Sequence, residues 1–197
     1  MRNWLSTRPA AGLFLASLCC GSAGRQELDH DHTVKPTRAC LQLPVGVPAG
    51  EGYYVAQGFG KNHHLGEDWN GVGGGNTDLG DPVFSVGGGV VTEASDAGGG
   101  WGNVVRVRHA MSTASGVVEF ESLYAHLDQV HVRAGQAIDR GRAVGTIGDA
   151  HGAYVAHLHL EVRTVVGLPL GPGYSPQTAG YVDPRAWIVA HQQGCDR

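Results

Sequence analysis

Apolar and polar residues alternate along this chain in short runs, each closed by a cluster of Gly, Asp or Asn. Residues 104–109 (VVRVRH) are the clearest case: Val105 and Val107 fall on one face of a strand, Arg106 and Arg108 on the other. From about residue 53 onward the same pattern predicts strands over 83–91, 104–109, 119–127, 130–132, 143–147 and 156–162. Gly87-Gly88-Gly89 interrupts the first of these, the mark of a bulge or a close backbone approach. Residues 134–136 (AGQ) and 139–141 (DRG) carry the chemistry of tight turns. One helix stands out. Asp183-Pro184 places a capping acid before a proline at the first helical position, and residues 185–192 continue it. The predicted fold is mainly β: a compact antiparallel β-sheet domain of barrel-sandwich-like hairpins with one short C-terminal helix.

A chain of 197 residues suffices for one domain with a real core and is short for two. With 42% hydrophobic and only 16% charged residues it reads as globular rather than disordered. No apolar run reaches the ~18–20 residues of a spanning helix. Arg2 and Arg8 flank the start of a short apolar stretch, 10–20, that ends in the small residues Gly21-Ser22-Ala23. This predicts an export signal over 1–23 and a place in the cell envelope or outside the cell. Cys19 or Cys20 is a conceivable lipid-anchor site, disfavoured because Leu18 or Cys19 would precede it where a small residue is usual. Removal of 1–23 leaves 12 basic against 18 acidic residues, a net charge of −6. Such a balance argues against nucleic acid or an anionic membrane surface as partner.

The same removal leaves two cysteines, Cys40 and Cys195. In an oxidising compartment they are expected to pair, closing a loop worth roughly 4–5 kcal/mol on the chain-entropy model. Residues 24–48 are polar and without periodicity. They are expected as a lead-in segment, its Asp29-His30-Asp31-His32 a solvated stretch rather than a weak metal chelate, before a domain over 49–197. A monomer is expected.

Chemistry concentrates in three histidine clusters: 63–68 (HHLGED), 124–126 (YAH) and 157–159 (HLH). Residues two apart on a strand share a face, with Cα atoms roughly 6.5–7 Å apart, so His157 and His159 project to one side while Leu158 and Leu160 point to the other. His64 and Asp68 would lie about 13 Å apart on a straight strand. Gly66 is expected to bend the path so that both turn inward. Two histidines and one aspartate, with a fourth position left to water, form the donor set of an open, catalytic zinc site. Such a site needs a neighbour to take and return a proton. His126 and His157 are the candidates.

These motifs resemble the lysostaphin-type, LytM-like zinc metallopeptidases, the M23 family. The segments 64–68 (HLGED), 123–127 (LYAHL) and 157–159 (HLH) match its His-x-Gly-x-Asp, Tyr-Ala-His-Leu and His-x-His patterns. Residues 80–83 (GDPV), 102–105 (GNVV), 161–163 (EVR) and 182–184 (VDP) match their surroundings, so the resemblance runs over roughly 53–188. It implies that His64, Asp68 and His159 bind Zn2+, that His126 and His157 are catalytic, and that peptide bonds of bacterial peptidoglycan are the substrate. His63 lacks the required offset to Gly66 and Asp68. Two departures, in 148–156 and around 119–121, are expected to border the groove and to bear on substrate preference. The alternative is a non-catalytic relative that activates a cell-wall amidase; such relatives have typically lost metal ligands, whereas this chain retains all of them.

Overall fold

A computed structural model of the protein describes residues 34–192. The export signal over 1–23, Cys19, Cys20, His30, His32 and the Cys195 end of the expected disulfide lie outside the described residues. Among the described residues, eleven strands and one α-helix follow one another. The strands are β1 (Thr37–Arg38), β2 (Tyr53–Gln57), β3 (Glu67–Gly71), β4 (Pro82–Phe84), β5 (Gly89–Asp96) and β6 (Asn103–Thr113). Then come β7 (Gly116–Leu127), β8 (Ala137–Ile138), β9 (Ala143–Thr146), β10 (Leu158–Arg163), β11 (Tyr181–Val182) and helix α1 (Pro184–Ala190). The main sheet runs β2-β3-β10-β7-β6-β5-β8 with antiparallel neighbours throughout. β11 joins β10 antiparallel, and β4 pairs with β9 in a separate ribbon. Among the described residues no helix is long and apolar enough to cross a membrane.

The alternation in 104–109 holds: Val105 and Val107 are fully buried, while Arg106 and Arg108 are only partly buried on the other face. β6 and β7 run well past the predicted limits, to 11 and 12 residues, as one long hairpin. The extra length has a use. β5 covers β6 only as far as Arg108, and β1 fills the next stretch, Thr37 opposite Met111, as a parallel addition. The glycine run at 87–89 does more than bulge a strand: it separates β4 from β5, which belong to different sheets. A side chain at Gly89 would overlap the Arg108 carbonyl. Residues 130–132 form no strand; Val130 makes a single bridge to Gly145. α1 starts where expected, with Asp183 Oδ1 accepting from the Ala186 N–H at 2.8 Å.

The core gathers Trp69, Val105, Val107, Phe120, Tyr124, Leu127, Leu158, Leu160 and Ile188. Residues 34–48, expected as a lead-in, contribute Leu41, Leu43 and Val45 to that same core. The segment forms no strand there, and Gln42 and Pro44 between them are buried as well. A buried polar chain crosses the sheet. His109 Nδ1 lies 2.9 Å from the Gly88 carbonyl, and its Nε2 lies 2.7 Å from Ser122 Oγ. A carbonyl only accepts, so Nδ1 carries the hydrogen toward Gly88. Burial holds the His109 pKa down at about 4, so the ring is neutral.

Candidate metal centre

Sheet register brings the three histidine clusters together. β10 lies between β3 and β7, with His159 opposite Asp68 on one side and opposite Ala125, the neighbour of His126, on the other. His64 arrives from the turn ahead of β3. Asn62 and His63 take left-handed backbone (φ 54° and 66°), and His64 returns to extended geometry with its side chain fully buried. Gly66 serves this path differently from what was expected. Its φ is not left-handed; a Cβ there would overlap the Leu160 carbonyl and stand 2.9 Å from both His159 Cε1 and Glu161 Cγ. Glycine is required for close approach of β10, not for a bend.

The donor atoms converge. His64 Nε2 is 3.0 Å from His159 Nδ1, His159 Nδ1 is 3.0 Å from Asp68 Oδ1, and His64 Nε2 is 3.4 Å from Asp68 Oδ1. Tetrahedral zinc with bonds of ~2.0–2.2 Å spaces its ligands roughly 3.3 Å apart, so the triangle has the right size. His64 Nδ1 is buried without a hydrogen-bond partner, so hydrogen bonding alone does not complete this cluster. A cation at the meeting point takes all three lone pairs. The residues present therefore fit a metal ion. His63 is exposed and stays outside the set.

His126 and His157 stand beside this triangle. Their rings are 4.7 Å apart, and His157 Nε2 is 3.7 Å from Asp68 Oδ1. His157 precedes β10 rather than lying within it, held by a bridge to Gly148, yet it reaches Asp68 as His159 does. His126, next to last in β7, has φ 63°, an unfavourable backbone for a non-glycine residue. Its N–H and its Nδ1 both meet the Trp101 carbonyl, at 3.0 and 3.2 Å. His157 Nδ1 meets the Val155 carbonyl at 2.7 Å. Each carbonyl fixes the hydrogen on Nδ1 and leaves Nε2 as an acceptor.

Burial dominates the electrostatics. It lowers the pKa of His64, and it lowers that of His126 to about 3, helped by repulsion from His159 and His157. Burial also opposes charge on His159, but the carboxylates of Asp68 and Glu161 on its two nitrogens outweigh this and lift it to about 9. For Asp68, burial pushes upward, and the hydrogen bond and charge of His159 prevail to hold the carboxyl below its usual range.

Behind the donor triangle stands a second layer of residues to which no sequence motif assigns a role. His159 Nε2 lies 3.2 Å from Glu161 Oε1, and Glu161 Oε2 accepts from Arg163 Nε at 2.7 Å and pairs with Nη2 at 2.6 Å. Arg163 in turn donates to the Pro169 and Leu170 carbonyls. Glu161 and Arg163 are both fully buried. The period-two spacing 157-159-161-163 carried this signal. Around the metal set opens a groove of about 400 Å³ walled by Gln57, Trp101, Tyr154 and Tyr174. Tyr174 stacks on His64 with centroids 4.9 Å apart, and its hydroxyl accepts from Gln57. These four have no periodic signature, three of them lying in loops. The departure at 148–156 does border the groove through Tyr154, whereas 119–121 lies within β7 away from it.

Comparison with known proteins gives a consistent answer. The model of Peptidase family M23 matches residues 64–172, which include His64, Asp68, His126, His157 and His159. Lipoprotein NlpD of Yersinia enterocolitica is 31% identical over 84 residues, 43% of this chain and 78% of that one. The DD-carboxypeptidase/endopeptidase Mpg of Neisseria meningitidis serogroup B is 37% identical over 93 residues, 47% of this chain but 19% of its own length. The antimicrobial peptidase lysostaphin from Staphylococcus simulans superposes with a TM-score of 0.53 at 22% identity, covering 73% of this chain and 52% of that one, and so shares the fold. With more than half of its length matched, from His64 of the donor triangle to Pro172 of the groove, the chain belongs to peptidase family M23.

Proposed function

We propose that the protein is an exported zinc metalloendopeptidase that hydrolyses peptide bonds in the stem peptides or cross-bridges of bacterial peptidoglycan. His64 Nε2, Asp68 Oδ1 and His159 Nδ1 would hold the metal. The observation that carries this reading is the convergence of these three atoms, 3.0–3.4 Å apart, beside two histidines whose free nitrogens are acceptors. Bound there, Zn2+ would polarise the scissile carbonyl and make an attacking water acidic near neutral pH.

The chain's own residues do the rest. His126 and His157 each keep a hydrogen on Nδ1, anchored to a backbone carbonyl, and each offers Nε2 to the groove. One takes the proton of the attacking water, and the pair returns it to the departing amine. Burial keeps the His126 ring neutral, so its Nε2 lone pair faces the groove. Glu161 holds His159 with Nε2–H turned away from the metal, leaving Nδ1 free to ligate. Trp101, Tyr154 and Tyr174 wall the groove with aromatic surface, and among the described residues no Lys or Arg lines it. The substrate segment at the cleavage point is therefore bound through its backbone and small groups rather than through acidic side chains.

Purified full-length protein loaded with Zn2+ and given muropeptides of defined cross-link type tests this reading. Mass spectrometry should show fragments cut at one bond type. His159→Ala should lose zinc and activity together, while His126→Ala should keep zinc and lose most turnover, by roughly 10²–10⁴-fold. Wild-type turnover in His126→Ala would remove that residue from the mechanism. Zinc binding with no hydrolysis of any wall peptide would favour the alternative, a regulator that activates an amidase.

A further inference from the structure

We infer that the groove holds a second cation site, made of His126, His157 and Asp68, which takes a divalent imidazole-binding ion such as Zn2+ and thereby shuts the peptidase off. This rests on the zinc peptidase reading of the neighbouring triangle.

The geometry has three parts. First, the two histidines are locked in one tautomer. The Trp101 carbonyl takes the His126 Nδ1 hydrogen at 3.2 Å, and the Val155 carbonyl takes that of His157 at 2.7 Å. Both Nε2 atoms are therefore lone pairs. Second, these lone pairs and the carboxylate are close: one donor atom from each of Asp68, His126 and His157 lies within 4.8 Å of the others, and His157 Nε2 is 3.7 Å from Asp68 Oδ1. In the neutral rings the Nε2 atoms carry no hydrogen between them and the carboxylate. Acceptors gathered in this way attract a cation, and two imidazoles with one carboxylate are a zinc-type donor set. Third, the set repeats the first one. His64, Asp68 and His159 are likewise two histidines and the same aspartate. A carboxylate can bridge two ions, and paired metal sites ~3.5–4 Å apart are an established arrangement.

The two sites differ in surroundings. His64 and His159 are almost wholly buried, and His159 is braced by Glu161. His157 is half-buried and lines the groove with His126, so the second ion enters from solvent and shares its only anion with the first. The second site is accordingly weaker. Filling it converts both Nε2 lone pairs into metal bonds, and neither can then accept a proton. Metal supports activity at one equivalent and suppresses it at two.

Full-length protein stripped by a chelator and titrated with ZnCl2 by calorimetry reads the sites directly. Two events are expected, a tight one and a weaker one, with hydrolysis rising through the first and falling through the second. His126→Ala and His157→Ala should each retain the tight event and lose the weak one. His159→Ala should lose the tight event. A single equivalent in the wild type, with hydrolysis unaffected by excess zinc, would overturn the inference. So would a weak event that persists in both His126→Ala and His157→Ala and disappears when His30 and His32 are replaced. These failures leave zinc-dependent hydrolysis in place. Failure of the peptidase reading is distinct: no hydrolysis at any zinc ratio, whatever the isotherm shows.

Discussion

Glu161→Gln is the smallest change that separates the proposed metal ligands from the frame that aims them. The glutamate serves two neighbours at once, His159 Nε2 at 3.2 Å through Oε1 and Arg163 at 2.6–2.7 Å through Oε2. A glutamine has one oxygen for both. The guanidinium is charged and presents two donors, so the amide oxygen turns to Arg163 and the amide NH2 faces His159. His159 then has to present a lone pair at Nε2, which moves its hydrogen to Nδ1, the atom 3.0 Å from Asp68 and 3.0 Å from His64 Nε2. The hydrogen occupies the metal's position. Loss of such an outer-shell partner lowers metal affinity by about 10–100-fold, or about 1.4–2.7 kcal/mol. Loss of the buried counter-charge to Arg163 adds a stability cost, bounded by the ~3–5 kcal/mol of a broken buried pair. Competition against a chromophoric zinc chelator measures the first, and urea unfolding the second. The 15N shifts of His159 report the tautomer, which simple loosening of the fold would not switch. Wild-type zinc affinity with Nε2 still protonated would refute the reasoning.

Three further outcomes follow from the same structure. Gly66→Ala drives a methyl into the Leu160 carbonyl and against His159, and should destabilise by about 1–3 kcal/mol or more while weakening zinc binding; thermal unfolding and zinc titration check both. His109 is buried neutral with its pKa at about 4, whereas the unfolded chain binds a proton at pH ~6.5. The unfolded state therefore holds more protons between these limits, and stability present above pH 6.5 is lost as pH falls toward 4, by up to about 3 kcal/mol. His109→Gln should flatten that part of the stability profile by about one proton. Asp183→Ala removes the cap of α1 and should cost about 1 kcal/mol in urea unfolding with zinc affinity unchanged.

Much of the site was legible in the chain itself. Period-two alternation placed Val105, Val107, Leu158 and Leu160 inward, and the residue types at 64, 68, 126, 157 and 159 announced a metal site because few other chemistries use that set. The helix start at Asp183-Pro184 was equally plain, since capping is a local matter of one side chain and its next turn. What local pattern could not supply was distance. Whether His64 and Asp68 meet depends on β10 lying against β3, and that pairing is made by residues about ninety positions away. Gly66 looked like a hinge from its neighbours in sequence, but its neighbours in space, Leu160 and Glu161, give the real reason for a missing side chain. The core role of Leu41, Leu43 and Val45 was hidden for a similar cause: a segment without regular hydrogen bonding has no period to detect. Sequence decided which atoms are available to hold a cation. Tertiary structure decided which of them meet, because a donor set is defined within a few ångströms and only sheet register controls separation at that scale.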